Sequence, residues 1–201
     1  MLPVICAAYL PPVSFLKIIA GNPEILVEQY DHYVKQTYRN RCVIAAADGC
    51  QTLTVPVVKA EHPGQLMRDV RISGHGNWKH LHWNAIVSAY MNSPYFMYYE
   101  DDFRPIYERH HTFLLDFNME LLWKVIELSG ISASLTLTQE YHPSEYYGKE
   151  CDLRGLVDPD MVPDIPFKPY YQVFRQKNGF LSNLSAVDIL FNMGPETLLY
   201  L

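Results

Sequence analysis

The Asp48-Gly49 dipeptide stands between two runs, Cys42 to Ala47 and Cys50 to Val57, that are rich in Val, Ile, Thr and Leu. A dipeptide of this kind accepts the positive φ that a tight hairpin turn demands, so the two runs read as an antiparallel β-hairpin. The residues just ahead are of another character. Asp31, His32, Lys35, Tyr38, Arg39, Asn40 and Arg41 crowd hydrogen-bonding and cationic groups into a polar, aromatic-rich loop delivered to one end of the hairpin. Groups that bind or react commonly sit on loops positioned by a rigid scaffold. The competing reading is a loop pinned by buried Tyr and Arg.

The rest of the chain supplies helices and further strands. Val4 to Leu10 reads as a buried strand, Val13 to Ala20 as a helix stopped by Gly21-Asn22-Pro23, and Glu24 to Gln29 as the next strand. That order predicts a parallel βαβ opening, with the Tyr9-Leu10-Pro11-Pro12 turn beside the polar loop at one cleft. Gln65 to Ile72 reads as a strand. Trp78 to Met91 reads as a helix with Trp78, Leu81, Ala85, Ile86, Ala89 and Tyr90 on its apolar face. Thr112 to Leu128 reads as a central helix whose polar stripe includes an i,i+4 pair of Glu120 and Lys124. Ile131 to Leu137 alternates like a half-buried strand, the prolines between 159 and 169 make an extended surface segment, and Tyr170 to Arg175 reads as a last strand. Ser185 to Gly194 reads as a helix whose Asp188 reaches back toward the Ser185 cap. The class expected is α/β or α+β: one domain over 1–201, a mixed sheet with a β-hairpin packed by several helices, less regular over 141–169.

Composition narrows the function. Half the residues are hydrophobic, and only 19% are charged, which suits a folded protein with a sizeable core. A net charge of -6 argues against general nucleic-acid binding, although a local basic patch can still hold a phosphate. The N-terminus lacks a signal-peptide pattern and no apolar run is long enough to span a bilayer, so the expected location is cytoplasmic. Cys6, Cys42, Cys50 and Cys151 form no metal-binding pair and read as buried free thiols. Cys42 and Cys50 flank the hairpin turn and could face each other across it.

Several groups could carry chemistry. Arg39 and Arg41 straddle Asn40 near Lys35, a fork suited to the diphosphate of a nucleotide-linked sugar. Tyr30, Tyr33, Tyr38 and Trp78 could serve as platforms for a sugar or a partner. His75, His80 and His82 could provide a general base, but residues 80 and 82 diverge on a helix, so one histidine at a site edge is expected rather than a metal centre. Glu100, Asp101 and Asp102 read as a surface turn, with Mg²⁺ binding as the sharper alternative. His110 and His111 read as capping or solvated groups. No P-loop, GxGxxG, GxSxG or HExxH pattern occurs, so no cofactor is indicated.

Three segments together resemble the WbqC-like protein family: Ala8 to Pro12; Tyr33 to Arg41 followed by Leu53 to Pro56; and Phe180 to Gly194. The resemblance implies a bacterial protein of O-antigen or other surface-polysaccharide assembly, and a glycine transferase activity. It favours Asn40 and Arg41 most directly. Relatives often carry an acidic pair and a Gln ahead of the Lys, where this chain has Glu28-Gln29-Tyr30-Asp31-His32. The expected scheme joins an activated amino acid to an amino sugar. Arg39 and Arg41 hold phosphate, Asn40 positions a carbonyl or hydroxyl, and His32 or His80 takes the proton. Lys35, Tyr38 and Trp78 complete the binding set, and the alternative is a non-catalytic sugar-binding or partner-binding protein of the same pathway.

Overall fold

A computed structural model describes residues 1–60, 64–161 and 166–201. Strand β1 (Val4–Cys6), helix α1 (Val13–Ala20) and strand β2 (Glu24–Glu28) form the expected parallel unit. Hairpin strands β3 (Arg41–Ala46) and β4 (Gly49–Thr54) follow, with Gly49 at φ 117°. Helices α2 (Trp78–Tyr90), α3 (Phe96–Glu108) and α4 (Leu114–Leu128) lead to strand β5 (Ser134–Leu137). Two single-turn helices, α5 (Ser144–Tyr147) and α6 (Arg175–Asn178), precede α7 (Ala186–Met193). The class is mixed α/β: β2 lies between β1 and β5 in a three-stranded parallel sheet, and the antiparallel hairpin stands apart from it.

The core joins these pieces. Every residue of α7 is buried, because Val187, Ile189, Leu190 and Phe191 pack toward different neighbours. Phe191 alone meets the rings of Tyr90, Phe96 and Phe103, which ties α2 and α3 to the C-terminal helix. Helix α4 contributes Phe117, Leu121, Leu122 and Val125, all closed to solvent. Among the described residues no helix is long and apolar enough to cross a membrane.

Several local expectations are corrected. Strand β1 ends at Cys6, and Ala7 to Leu10 is a buried turn instead, since the Tyr9 N–H donates to the Tyr38 carbonyl at 2.8 Å rather than to a ladder. The Gln65 to Ile72 strand is replaced by a 3-10 turn, Met67–Asp69. Its amides are taken by the polar loop, Met67 N–H by the Asp31 carbonyl and Arg68 N–H by that of Gln29. Glu100, Asp101 and Asp102 lie inside α3 rather than on a turn, and Glu100 pairs with Arg104 one turn on. Phe96, Phe103, Ile106 and Tyr107 bury one side of that helix, and its internal Pro105 hid the pattern. On α2, Leu81 faces solvent and His82 takes the buried place, in step with Trp78 and Ile86 at intervals of four.

Tyr170 to Arg175 is not a strand. The Gln172 side chain occupies the backbone of Leu181, donating to its carbonyl and accepting from its N–H, both at 2.9 Å. Asp188 does not cap its helix either, for its carboxylate turns inward to Tyr170 and Gln172 while the Ser185 hydroxyl donates to the Leu10 carbonyl. Glu120 pairs with Arg109 and His111 rather than Lys124, which meets Asp102 and Glu127. Cys42 sits opposite Leu53 and Cys50 opposite Ala45, so the two thiols do not face each other. All four cysteines are free, but Cys50 is exposed and Cys151 half-buried.

Candidate functional site

Parallel strands leave their carboxyl ends open to the loops that follow, and that edge is where open α/β sheets place ligands. Here β1 ends on Cys6 and β2 on Glu28. Beyond them lies a cleft of about 520 Å³ between the polar loop, which contributes Asp31, Val34, Thr37 and Arg39, and a segment from Tyr141 to Met161 that supplies Lys149 and Arg154.

The loop side carries a compact buried trio. The Cys6 thiol donates to Asp31 Oδ2 at 3.0 Å, Arg39 Nη2 reaches the Cys6 sulfur at 3.3 Å, and Arg39 and Asp31 form an ion pair. Burial pushes the Cys6 pKa well up, with Arg39 opposing the shift, so the group is a neutral thiol and not a standing nucleophile. Asp31 Oδ1 and Arg39 Nε have no partner among the described residues. A buried group left unpaired costs roughly 1–3 kcal/mol, so each is a defect unless something else fills it.

The opposite side is fully braced. Arg154 grips Asp152 with two bonds, Nε to Oδ1 at 2.8 Å and Nη2 to Oδ2 at 2.7 Å, and reaches Glu28 Oε2 at 3.5 Å. Those bonds hold the Asp152 pKa down at about 2. Glu28, wholly buried, also accepts from the Thr138 hydroxyl and the Tyr30 N–H, both at 2.8 Å. The Tyr141 and Tyr147 rings lie against the guanidinium at 5.2 and 5.3 Å. With Arg39 and Arg154 each committed to carboxylates, Lys149 is the lining cation with no ion pair among the described residues.

Of the polar-loop residues singled out in the sequence, Asp31 and Arg39 line this cleft, and of those given a role only Arg39 does so among the described residues. Tyr38 is buried in the core, its N–H bonded to the Val157 carbonyl. Asn40 is buried and donates to the Val55 carbonyl at 3.0 Å, holding the loop to the hairpin. Arg41 opens β3, half-buried, with Nε unpartnered among the described residues. Lys35 and His32 are exposed and outside the cleft wall. His80 and Trp78 stand on α2, His80 exposed and bonded to Asn84 at 2.9 Å in a separate hollow with Lys79 and Trp83, and Trp78 packed edge-on against Phe117. His82 is buried beside Tyr9 at 2.9 Å, and desolvation brings its pKa down to about 4 against a hydrogen bond to the Thr54 backbone, so it is neutral at pH 7. No cluster of three metal-ligating side chains occurs among the described residues.

Asp152 and Arg154 escaped the sequence reading because they lie in an irregular segment, and Arg154 reaches Glu28 of β2 from 126 residues away. Glu28 was visible as the acidic end of an apolar strand and in the stretch where relatives carry an acidic pair, without a partner to give it a role.

The cleft and its walls fall largely within a recognised family. Residues 7–153 match the WbqC-like protein family, and the chain belongs to it. The match takes in Asp31, Arg39, Lys149 and Asp152 and stops just before Arg154. The uncharacterized protein Rv1507c of Mycobacterium tuberculosis is 28% identical, over 98% of this chain and 96% of that protein. No solved structure matches.

Proposed function

We propose that this chain is a cytoplasmic bacterial transferase of surface-polysaccharide assembly that joins an activated aminoacyl group, glycyl being the smallest, to the amine of a nucleotide-linked amino sugar. The observation that carries the reading is the cleft at the carboxyl ends of β1 and β2, walled by two buried arginine–carboxylate sets and one lysine. Rigid ion pairs on both walls suit a site that must hold two reactants in register, because orientation supplies much of the rate in group transfer. Lys149 is the natural phosphate partner in this scheme. Arg41 and Lys35 stay in the scheme as the phosphate-contacting cations expected from the sequence, although neither lines the cleft. His32 and His80 remain the proton acceptors proposed from sequence, although neither lines the cleft.

That last point favours a second reading, a sugar-binding protein of the same pathway without its own chemistry, with Tyr141 as the stacking platform at the rim. Mass analysis of products from amino-sugar nucleotides and glycyl donors separates the two. A mass gain of one glycyl residue on the acceptor supports the transferase; intact acceptors together with saturable binding support the second reading, and no binding of any acceptor removes both.

A further inference from the structure

Away from the cleft, the described residues enclose a second hollow of about 260 Å³ between the first turn of α2 and the chain that leaves α3, walled by Trp78, Lys79, Glu108, Arg109, His110 and His111. Lys79 stands in this wall and also in that of the neighbouring hollow of about 300 Å³ with His80 and Trp83. Its Nζ donates to the Arg109 carbonyl, reaches His111 Nδ1 at 3.5 Å and lies 5.8 Å from the centre of the Trp78 ring, so these partners all belong to residues that line the same hollow. His111 is held from behind: Nε2 meets Glu120 Oε2 at 2.5 Å, and Glu120 Oε1 takes Arg109 Nη1. A carboxylate only accepts, so the Nε2 proton is fixed toward Glu120 and Nδ1 of the neutral ring is left as an acceptor. A neutral amine has two N–H groups and one lone pair. The Arg109 carbonyl and His111 Nδ1 absorb both N–H groups and leave the lone pair unengaged, and no carboxylate pairs with Lys79 among the described residues. Burial lowers the Lys79 pKa, with Glu120 opposing the shift. Desolvation of this kind is what makes a lysine nucleophilic near neutral pH.

We propose that Lys79 is the amine nucleophile of a second reactive site, which takes a small aldehyde or ketone as a reversible imine, with His111 as its proton carrier and Glu120 as the positioning residue that fixes the ring. Nζ adds its lone pair to the carbonyl carbon, and the C=O π pair moves to oxygen. Both N–H protons then leave with that oxygen as water, His111 Nδ1 carrying them one at a time. A C=N bond replaces the C=O bond, and nothing is oxidised or reduced. The site shares no residue with the cleft at β1 and β2, so it stands or falls independently of the transferase reading.

Reductive alkylation of the full chain tests it. Acetaldehyde with excess cyanoborohydride traps each imine as an ethylated lysine, and peptide mass mapping gives the rate at every position. At pH 7, Lys79 should react about 100-fold faster than the exposed Lys35 and Lys149, the low end of what a positioned proton acceptor contributes. Glu120→Gln keeps the acceptor for Arg109 but turns an amide N–H toward His111 Nε2, which drives the ring proton to Nδ1 and removes the acceptor beside Lys79. That variant and His111→Phe should each slow Lys79 at least about tenfold and leave Lys35 and Lys149 unchanged. Lys79 reacting no faster than Lys35 and Lys149 overturns the inference and leaves it a brace between α2 and the end of α3. An advantage kept by either variant in its folded form overturns the inference as well. If neither variant folds, the wild-type pH profile decides: Lys79 should hold its rate to lower pH than Lys35, and coincident profiles overturn the proposal.

Discussion

Asp31 and Asp188 are two buried carboxylates with the same bonding pattern and different surroundings. Each takes two donors on Oδ2 and has no partner for Oδ1 among the described residues. Asp188, on α7, is wholly enclosed, and its donors, the Tyr170 hydroxyl at 2.6 Å and the Gln172 amide at 2.8 Å, are neutral. Burial therefore raises its pKa to about 6, against the pull of those hydrogen bonds. Asp31 has a cationic partner and a cleft beside it. A carboxylate with only neutral partners relieves its desolvation by binding a proton, whereas in an ion pair the guanidinium offsets that cost. The free oxygen is closed to solvent in both, so the two differ in what offsets the charge and not in access to it.

The largest expected effect is on the Asp31 side. Arg39→Ala strands a buried carboxylate and should destabilise the fold by about 3–5 kcal/mol in urea titration at pH 7. Tyr170→Phe removes one donor from Asp188 and should cost less, about 1.5–3 kcal/mol, because protonation can relieve what remains. The reverse order would break the comparison. Between these lies a pH effect. With a folded pKa of about 6 against an ordinary 3.8, Asp188 is protonated in both states below about pH 4, and the unfolded chain releases the proton first as pH rises. Its contribution to stability is thus full in acid and falls by about 3 kcal/mol by pH 7. Asp188→Asn keeps an acceptor oxygen without the charge, so stability of the variant minus that of wild type should climb by this amount from pH 4 to pH 7. Subtraction also cancels Asp152, whose depressed pKa acts oppositely, losing stability as pH drops from about 4 toward 2. A flat difference would mean that Asp188 is ionised throughout.

The same contrast explains what the sequence disclosed. Features set by neighbours along the chain were legible: the Asp48-Gly49 hairpin, the helix stopped at Gly21, the parallel β1–α1–β2 unit and the boundaries of α7. The polar loop was found as well, and with it Arg39. Partners across the fold were not legible, because Asp188 as the third residue of a helix looks the same whether it caps Ser185 or turns inward to Tyr170, and only tertiary packing chooses. Asp31 stood in the crowded loop without a role, since its value comes from Cys6 at the end of β1. Lys149 and Arg154 reach the site from a segment with no period to read. Pro105 hid α3 as a local breaker inside a helix that burial of Phe103 and Ile106 sustains.

The smallest effect concerns Arg41, which among the described residues shares with Arg39 an unpartnered Nε but none of its ion pairing. Its backbone opens β3 opposite Thr54, and that pairing does not depend on the side chain. Arg41→Lys retains the charge and most of the stem while losing the planar fork, so stability should change by less than about 1 kcal/mol, or about 2–4 °C in melting temperature. Arg41→Ala also strips half-buried methylenes and should lie somewhat lower, at about 0.8 kcal/mol for each CH₂ that is truly enclosed. If Arg41 serves a ligand passing out of the cleft, binding of a nucleotide sugar should weaken by about tenfold in the lysine variant while the melt stays in place. Separation of those two readouts distinguishes a binding arginine from a scaffold arginine. A melt depressed as far as that of Arg39→Ala, with no wild-type binding, would return Arg41 to the scaffold and leave the cleft with Lys149 and the Asp31–Arg39 pair alone.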